Sequence, residues 1–263
     1  MSILRTLLVQ TRIEWNEPET NRRRIAALLD SAGAEFDLAV LPETFTTGFL
    51  GDGGSGDEGM DGPTVAWMQA VAERHRCAVA GSLVILDGGR RFNRFLFVTA
   101  DGVKAHYDKR HLFSYGGEDD HYSAGTERVN LEYLGWRINL QVCYDLRFPA
   151  WCRNRDDYDL MLLVANWPVR RIHHWSALLE ARAIENQACV LGLNRVGDDA
   201  NGLNYPGCSA VHGAMGETLL KLGDEETTAL VELDLAAVAR ARKKFPFQQD
   251  ADEFTLKERG QVR

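Results

Sequence analysis

A carboxylate, an ammonium and a thiol stand just past the ends of three separate runs in this chain that read as strands. Glu43 follows Leu38–Leu41, Lys109 follows Val103–Asp108, and Cys143 follows Arg137–Val142. Each run has the length of a strand, and Arg137–Val142 has the buried character of one inside a sheet. In α/β sheets, ligands bind in the crevice beyond the carboxyl ends of the strands. Parallel packing of these runs would therefore bring the three side chains together, although they lie far apart in sequence. A thiol becomes a nucleophile when a base or a cation favours its thiolate. Histidine is the usual base, yet none of His75, His106, His111, His121, His173, His174 and His212 ends a predicted strand beside Cys143. These seven read as surface or supporting residues, with His111 and His121 near the proposed site in sequence, and none has metal-ligand spacing. Glu43 and Lys109 remain as partners for the thiol. Singly, each residue has a plainer reading: Cys143 as an inert buried thiol, Glu43 as a helix-capping acid, Lys109 as a solvated lysine in an Asp-Lys-Arg-His run.

The elements that must position these groups alternate between short β-rich runs and longer helical patterns, which favours an α/β layered fold. The predicted strands are Leu4–Val9, Leu38–Leu41, Ala78–Ile85, Arg91–Thr99, Val103–Asp108, Arg137–Val142, Leu160–Ala165, Cys189–Asn194, Gly207–His212 and Thr228–Asp234. The predicted helices are Glu19–Ala32, Thr64–Arg74, Arg147–Arg153, Ile172–Asn186 and Ala236–Lys243. Pro18 and Pro63 suit the first turn of two of them, where a missing N–H costs least. Cys143 at a strand-to-helix elbow would be exposed, with backbone N–H groups beside it to receive a developing oxyanion.

Composition bounds the rest. The 263 residues carry 30 Lys+Arg against 38 Asp+Glu, a net charge of −8, and 45% are apolar. That balance argues against a nucleic-acid or anionic-membrane partner, which needs clustered Lys/Arg. The apolar runs are far shorter than the roughly 20 residues that span a bilayer. Met1–Thr11 reads as a strand, since Arg5 interrupts it and no small-residue cleavage site follows. The five cysteines, odd in number and without a CxxC pair, suit a reducing cytoplasm. The glycine-rich stretch 51–59 has no phosphate-loop context and reads as an acidic loop near a site. With no repeat and no linker, one domain spanning 1–263 is expected, its tail from 244 docking on the body or on a partner subunit.

Three segments, Leu-Pro-Glu-Thr-Phe at 41–45, Tyr-Asp-Lys-Arg-His-Leu-Phe at 107–113 and Val-Cys-Tyr-Asp-Leu-Arg-Phe-Pro at 142–149, resemble in that order the signatures of the nitrilase (carbon–nitrogen hydrolase) superfamily. The resemblance runs from the first strand to about Phe247. It implies a four-layer αββα sandwich, a homodimer, and no metal or organic cofactor. It also implies that Glu43 is the general base, Lys109 the catalytic lysine, Cys143 the nucleophile, and Glu118 the second glutamate. His-Leu-Phe after the lysine, Cys-Tyr-Asp-Leu-Arg-Phe-Pro, Ala-Asn-Trp-Pro after the next strand and Arg-Ala-Ile-Glu-Asn-Gln on a helix resemble the bacterial omega-amidase branch. Members of that branch hydrolyse the terminal amide of 2-oxoglutaramate or related short dicarboxylic monoamides.

On this reading the Tyr144 backbone N–H joins Lys109 at the oxyanion. Arg147 either pairs with the substrate's distal carboxylate or lies on the surface against Asp145 or Glu180. Phe45, Tyr115, Asn166 and Trp167 either wall the pocket or, for the aromatics, fill the core. Other amidases or carbamoylases of the superfamily would keep the same catalytic residues. A non-catalytic scaffold that keeps the fold is the reading from another class.

Overall fold

The computed structural model describes residues 3–49 and 56–257. Fourteen strands occur among them in chain order: β1 (Ile3–Gln10), β2 (Leu38–Val40), β3 (Ala78–Asp87), β4 (Arg90–Thr99), β5 (Gly102–Asp108), β6 (Asn130–Tyr133), β7 (Trp136–Val142), β8 (Leu160–Ala165), β9 (Cys189–Asn194), β10 (Val196–Asp198), β11 (Asn204–Pro206), β12 (Ala210–His212), β13 (Thr218–Lys221) and β14 (Thr227–Asp234). They form two six-stranded sheets, ordered β14-β1-β2-β3-β4-β5 and β13-β12-β9-β8-β7-β6, with β10 and β11 as a separate hairpin. The helices are α1 (Pro18–Asp30), α2 (Pro63–His75), α3 (Glu118–His121), α4 (Pro149–Cys152), α5 (Ile172–Asn186) and α6 (Leu235–Lys244).

Side-chain alternation along the strands explains the layering. On β8, Leu160, Leu162 and Val164 enter the core between the sheets, while Met161, Leu163 and Ala165 enter the core beneath α5. On β1, Leu4 and Leu8 face the other sheet, and Leu7 and Val9 meet Ile25 and Leu29 of α1 and Met68 of α2. Successive residues of a strand point to opposite faces, so a strand buried on both faces must be apolar throughout. The result is helices, sheet, sheet, helices, the expected four-layer α/β sandwich in one domain.

Parallel pairing carries the site. β2 runs parallel to β1 and β3, and β8 runs parallel to β7 and β9. The antiparallel β3–β4 hairpin closes on Gly88 (φ 56°) and Gly89 (φ 74°), positive angles that glycine tolerates and that match strand twist.

Three expectations are corrected. Arg147–Arg153 is not one helix: a 3₁₀ turn spans Cys143–Arg147 and α4 follows it. Phe148 (φ −111°) breaks the two, because a residue before proline is driven out of the helical region. Of the expected strand Gly207–His212, Ala210–His212 is extended in the sheet, while Gly207 (φ 61°) and Cys208 (φ 54°) turn. The edge strands β6 and β13 and the hairpin strands β10 and β11 were not expected. Residues 51–55 of the glycine-rich stretch lie outside the described residues. From the tail, the Gln248 side chain donates to Asn186 O (3.0 Å), and the Gln187 side chain donates to Phe245 O (2.7 Å). This docks the segment on the body.

Candidate active site

Glu43, Lys109 and Cys143 do converge. Glu43 lies three residues past β2, Lys109 directly past β5 and Cys143 directly past β7. Lys109 Nζ sits 3.0 Å from Glu43 Oε1 and 3.0 and 2.9 Å from the two oxygens of Glu118, with all three side chains buried. Glu118 is fixed by the Phe113 N–H, which donates to its Oε2 at 2.6 Å. Glu43 Oε2 accepts the backbone N–H of Asn166 at 2.6 Å, and the Asn166 amide donates to Glu43 O (3.3 Å) and Thr44 Oγ1 (3.0 Å). Asn166 is thus a support for Glu43 as well as part of the wall. The Cys143 thiol points toward Asn166 O at 3.9 Å.

Charge in the cluster follows from burial and proximity. Burial opposes the charge on Lys109, but Glu118 and then Glu43 outweigh it and hold the ammonium well above its ordinary range. Burial raises the Glu118 carboxyl, with Lys109 pulling it back. Burial and the charge of Glu43 push the Cys143 thiol well above its ordinary value. The thiol is therefore neutral at rest and needs a base at the moment of attack.

The turn that presents Cys143 is tied to the lysine segment. Asp145, fully buried, accepts from the Val142 N–H (3.1 Å), the Tyr107 hydroxyl (2.8 Å) and the His111 N–H (3.0 Å), with His111 Nδ1 at 2.7 Å. The Tyr107 hydroxyl in turn accepts from Trp151 Nε1 and the Arg110 N–H. Two of the residues flanking Lys109 in sequence thus hold the loop that carries the thiol. His111, stacked on Phe148 with ring centres 3.7 Å apart, is a support here.

A cavity of about 480 Å³ opens onto Glu43, Lys109 and Cys143. Tyr144, Arg147, Asn166 and Trp167 line it as expected. Phe45 does not: it is fully buried in the core beneath α2 and packs against Trp67. Tyr115 does not either, being 89% exposed; its neighbours Phe113 and Gly116 line the cavity instead. Arg147 pairs with neither Asp145 nor Glu180. Its guanidinium lies 4.6 Å over the Trp167 ring and 3.2 Å from His174 Nδ1.

Sequence reading missed Trp15, Phe49, Arg171, Asp199, Asn201, Leu203 and Tyr205, which complete the wall from loops and from the β10–β11 hairpin. Arg171 lies 5.2 Å over Phe113, and the Trp167 indole N–H donates to its carbonyl (2.8 Å). It also missed Asn93, whose amide donates to Glu43 Oε1 at 2.8 Å and Glu118 Oε1 at 3.3 Å. A polar residue inside the apolar text Phe-Asn-Arg-Phe-Leu-Phe-Val was the available signal.

In a cluster of an ammonium clamped between two carboxylates beside a thiol, opening onto a small cavity, a carboxylate can accept a proton and the ammonium can hold a developing negative charge. The sequence model of the family described as Carbon-nitrogen hydrolase matches residues 6–243. The chain is 46% identical over 254 residues to Omega-amidase YafV of Escherichia coli (strain K12), covering 96% of this chain and 98% of that protein. It is 31% identical over 249 residues to 2-oxoglutaramate amidase of Bacillus subtilis (strain 168), covering 92% and 95%. Its fold superposes with a TM-score of 0.95 and 46% identity, over 98% of this chain and 100% of the other, on the crystal structure of XC1258 from Xanthomonas campestris, a CN-hydrolase superfamily protein with an arsenic adduct in the active site. With the motifs, the sandwich and the match over most of its length in agreement, the chain belongs to the carbon-nitrogen hydrolase family.

Proposed function

We propose that this enzyme is an omega-amidase, hydrolysing the terminal amide of 2-oxoglutaramate or a related short dicarboxylic monoamide to the acid and ammonia. The observation that carries the substrate class is a pair of guanidinium groups. Arg147 and Arg171 both line the cavity that holds Cys143, and neither forms an ion pair among the described residues. They repel each other: burial and then the charge of Arg171 lower the Arg147 pKa. Two like charges without a counterion favour an anionic ligand, and a planar guanidinium fork matches a carboxylate. The catalytic cluster and the two arginines line one cavity, which suits an amide and a carboxylate on one short chain. The names and identities of the curated relatives support the same class.

In the first half-reaction Glu43 takes the Cys143 proton while the sulfur attacks the amide carbon. Negative charge moves to the carbonyl oxygen, where Lys109 and the Tyr144 N–H receive it. That N–H is at the start of a 3₁₀ turn, among the groups a helix leaves unpaired. Each such donor contributes about 3–4 kcal/mol to the transition state. Glu43 returns its proton to the nitrogen as the C–N bond breaks and ammonia leaves. In the second half-reaction Glu43 takes a proton from water, the hydroxyl oxygen attacks the thioester, and the proton returns to sulfur as the acid departs. Glu118 holds Lys109 in place. The acting form is a homodimer in a reducing cytoplasm, a reading supported by the family and by five unbridged cysteines.

Ammonia release from 2-oxoglutaramate and succinamate, with uncharged butyramide alongside, tests this. We expect turnover of the first two that disappears in Cys143→Ala. Arg147→Ala and Arg171→Ala should lower kcat/KM by about 10–100-fold for the carboxylate-bearing amides and little for butyramide, the loss of a charge-assisted pair. Equal losses on all three reject carboxylate recognition, and an inactive wild type redirects the search to carbamoyl amides.

A further inference from the structure

The two oxygens of Glu43 are not equivalent. Oε1 receives Lys109 Nζ at 3.0 Å and the Asn93 amide at 2.8 Å, whereas Oε2 receives the Asn166 backbone N–H at 2.6 Å. A carboxylate oxygen offers two lone-pair sites, so Oε1 is saturated and Oε2 has one site left. Asn93 is only 1% exposed. It donates with the same nitrogen to Glu118 Oε1 at 3.3 Å, the oxygen that Lys109 also contacts. Asn93 and Lys109 therefore bridge the same two carboxylate oxygens. The backbone repeats the connection, since Asn93 O accepts the Lys109 N–H at 2.9 Å. The other end of the amide has no partner among the described residues. Burying an amide oxygen without a partner opposes folding, and the flanking Phe92 and Phe95 show that this strand accepts apolar residues. Folding alone gives no reason for asparagine here.

We propose that Asn93 is a positioning residue for the acid–base cycle: its amide closes Oε1 of Glu43 and leaves Oε2 as the atom that takes the Cys143 proton. The S–H bond breaks as the Oε2–H bond forms, the sulfur electron pair goes to the amide carbon, and the same proton later leaves Oε2 for the departing nitrogen. This rests on the reading of Glu43 as the base. Glu43 is faced by Lys109 from beyond β5, Glu118 from α3 and Cys143 from beyond β7, with Tyr122 and Tyr205 acting at longer range. Asn93 is a neutral donor, so removing it changes no formal charge.

The experiment measures kcat and KM separately for succinamate in wild type, Asn93→Leu, Asn93→Ser and Glu43→Gln. We expect kcat of Asn93→Leu to be about 100-fold lower with KM nearly unchanged, as for a mispositioned group. Asn93→Ser, whose hydroxyl is too short to bridge both carboxylates, should lower kcat in the same way, and it carries the comparison alone if the leucine variant does not fold. A kcat within threefold of wild type, or a loss carried by KM, overturns the role of Asn93. An active Glu43→Gln overturns the reading of Glu43 itself, and so separates the two failures.

Discussion

Cys143 and Thr44 sit at φ 44° and 43°, in the left-handed region that a β-carbon resists. Such residues cost about 1–3 kcal/mol each and persist where their surroundings fix them. Asp145 ties down the first turn, and the Ser82 hydroxyl, accepting the Thr44 N–H at 2.8 Å, ties down the second. The local strain thus lies next to the nucleophile and next to Glu43. Glu118 is the other point at which this cluster can be probed. It chelates Lys109 through both oxygens, so Glu118→Gln removes a charge but keeps the shape. The ammonium then loses the partner that contributes most to its charge. We expect kcat to fall about 100-fold with a smaller change in KM, the pattern of a group acting on the transition state, measured by ammonia release. A variant within threefold of wild type would make Glu118 a packing residue. At this scale the sequence was legible where reactive residues ended apolar runs. It was not legible where they stood inside one, as with Asn93, or in a loop whose path no periodicity sets, as with Arg171.

The elements were readable in proportion to their burial. β8 and β9, apolar on both faces, stood out, while β6, β10, β11 and β13 are short and partly exposed, without enough residues to show a period of two. The Arg147–Arg153 segment is split where Pro149 drives Phe148 out of the helical region, a signal that was present in the sequence. Packing between elements makes its own demand at Gly192, on β9 beneath α5. A β-carbon there would stand 2.5 Å from Leu179 Cδ1 and 2.8 Å from Trp175 Cζ2, both in fully buried side chains. Neither Leu179 nor Trp175 lines the cavity, so the effect should be mainly one of stability. Gly192→Ala should destabilise by about 1–3 kcal/mol, the cost of overpacking a filled core, read from the urea midpoint at unchanged slope. An unchanged midpoint would mean that α5 lifts from the sheet without penalty.

At the scale of the whole molecule, the alternation of strands and helices made the layers legible, and the aromatic tail pointed to docking on the body or on a partner subunit, but what fastens the chain end was not legible. That fastening depends on long-range ion pairs, which leave no local pattern. Asp159, 6% exposed at the start of β8, accepts from Arg137 Nη2 at 2.7 Å and Nε at 2.9 Å, and from Arg242 of α6 at 2.7 Å. Burial alone would raise its carboxyl, but the guanidiniums of Arg137 and then Arg242 outweigh it and hold the pKa below its ordinary value. A carboxylate depressed in the folded state adds stability that is fully present above its unfolded pKa, about 3.9, and is lost as pH falls through the folded value. Asp159→Asn should therefore cost about 1–3 kcal/mol at pH 7, a range reduced from that of a fully buried pair because both arginines are partly solvated. The deficit should narrow as the pH drops below about 4, where Asp159 of the unfolded chain begins to bind a proton, and close as the pH passes the lower folded value. Urea unfolding of both proteins at pH 7 and pH 3 measures the gap. A gap of equal size at both would assign the loss to packing around the asparagine, and α6 would then be held by Val238 and its apolar neighbours and not by charge.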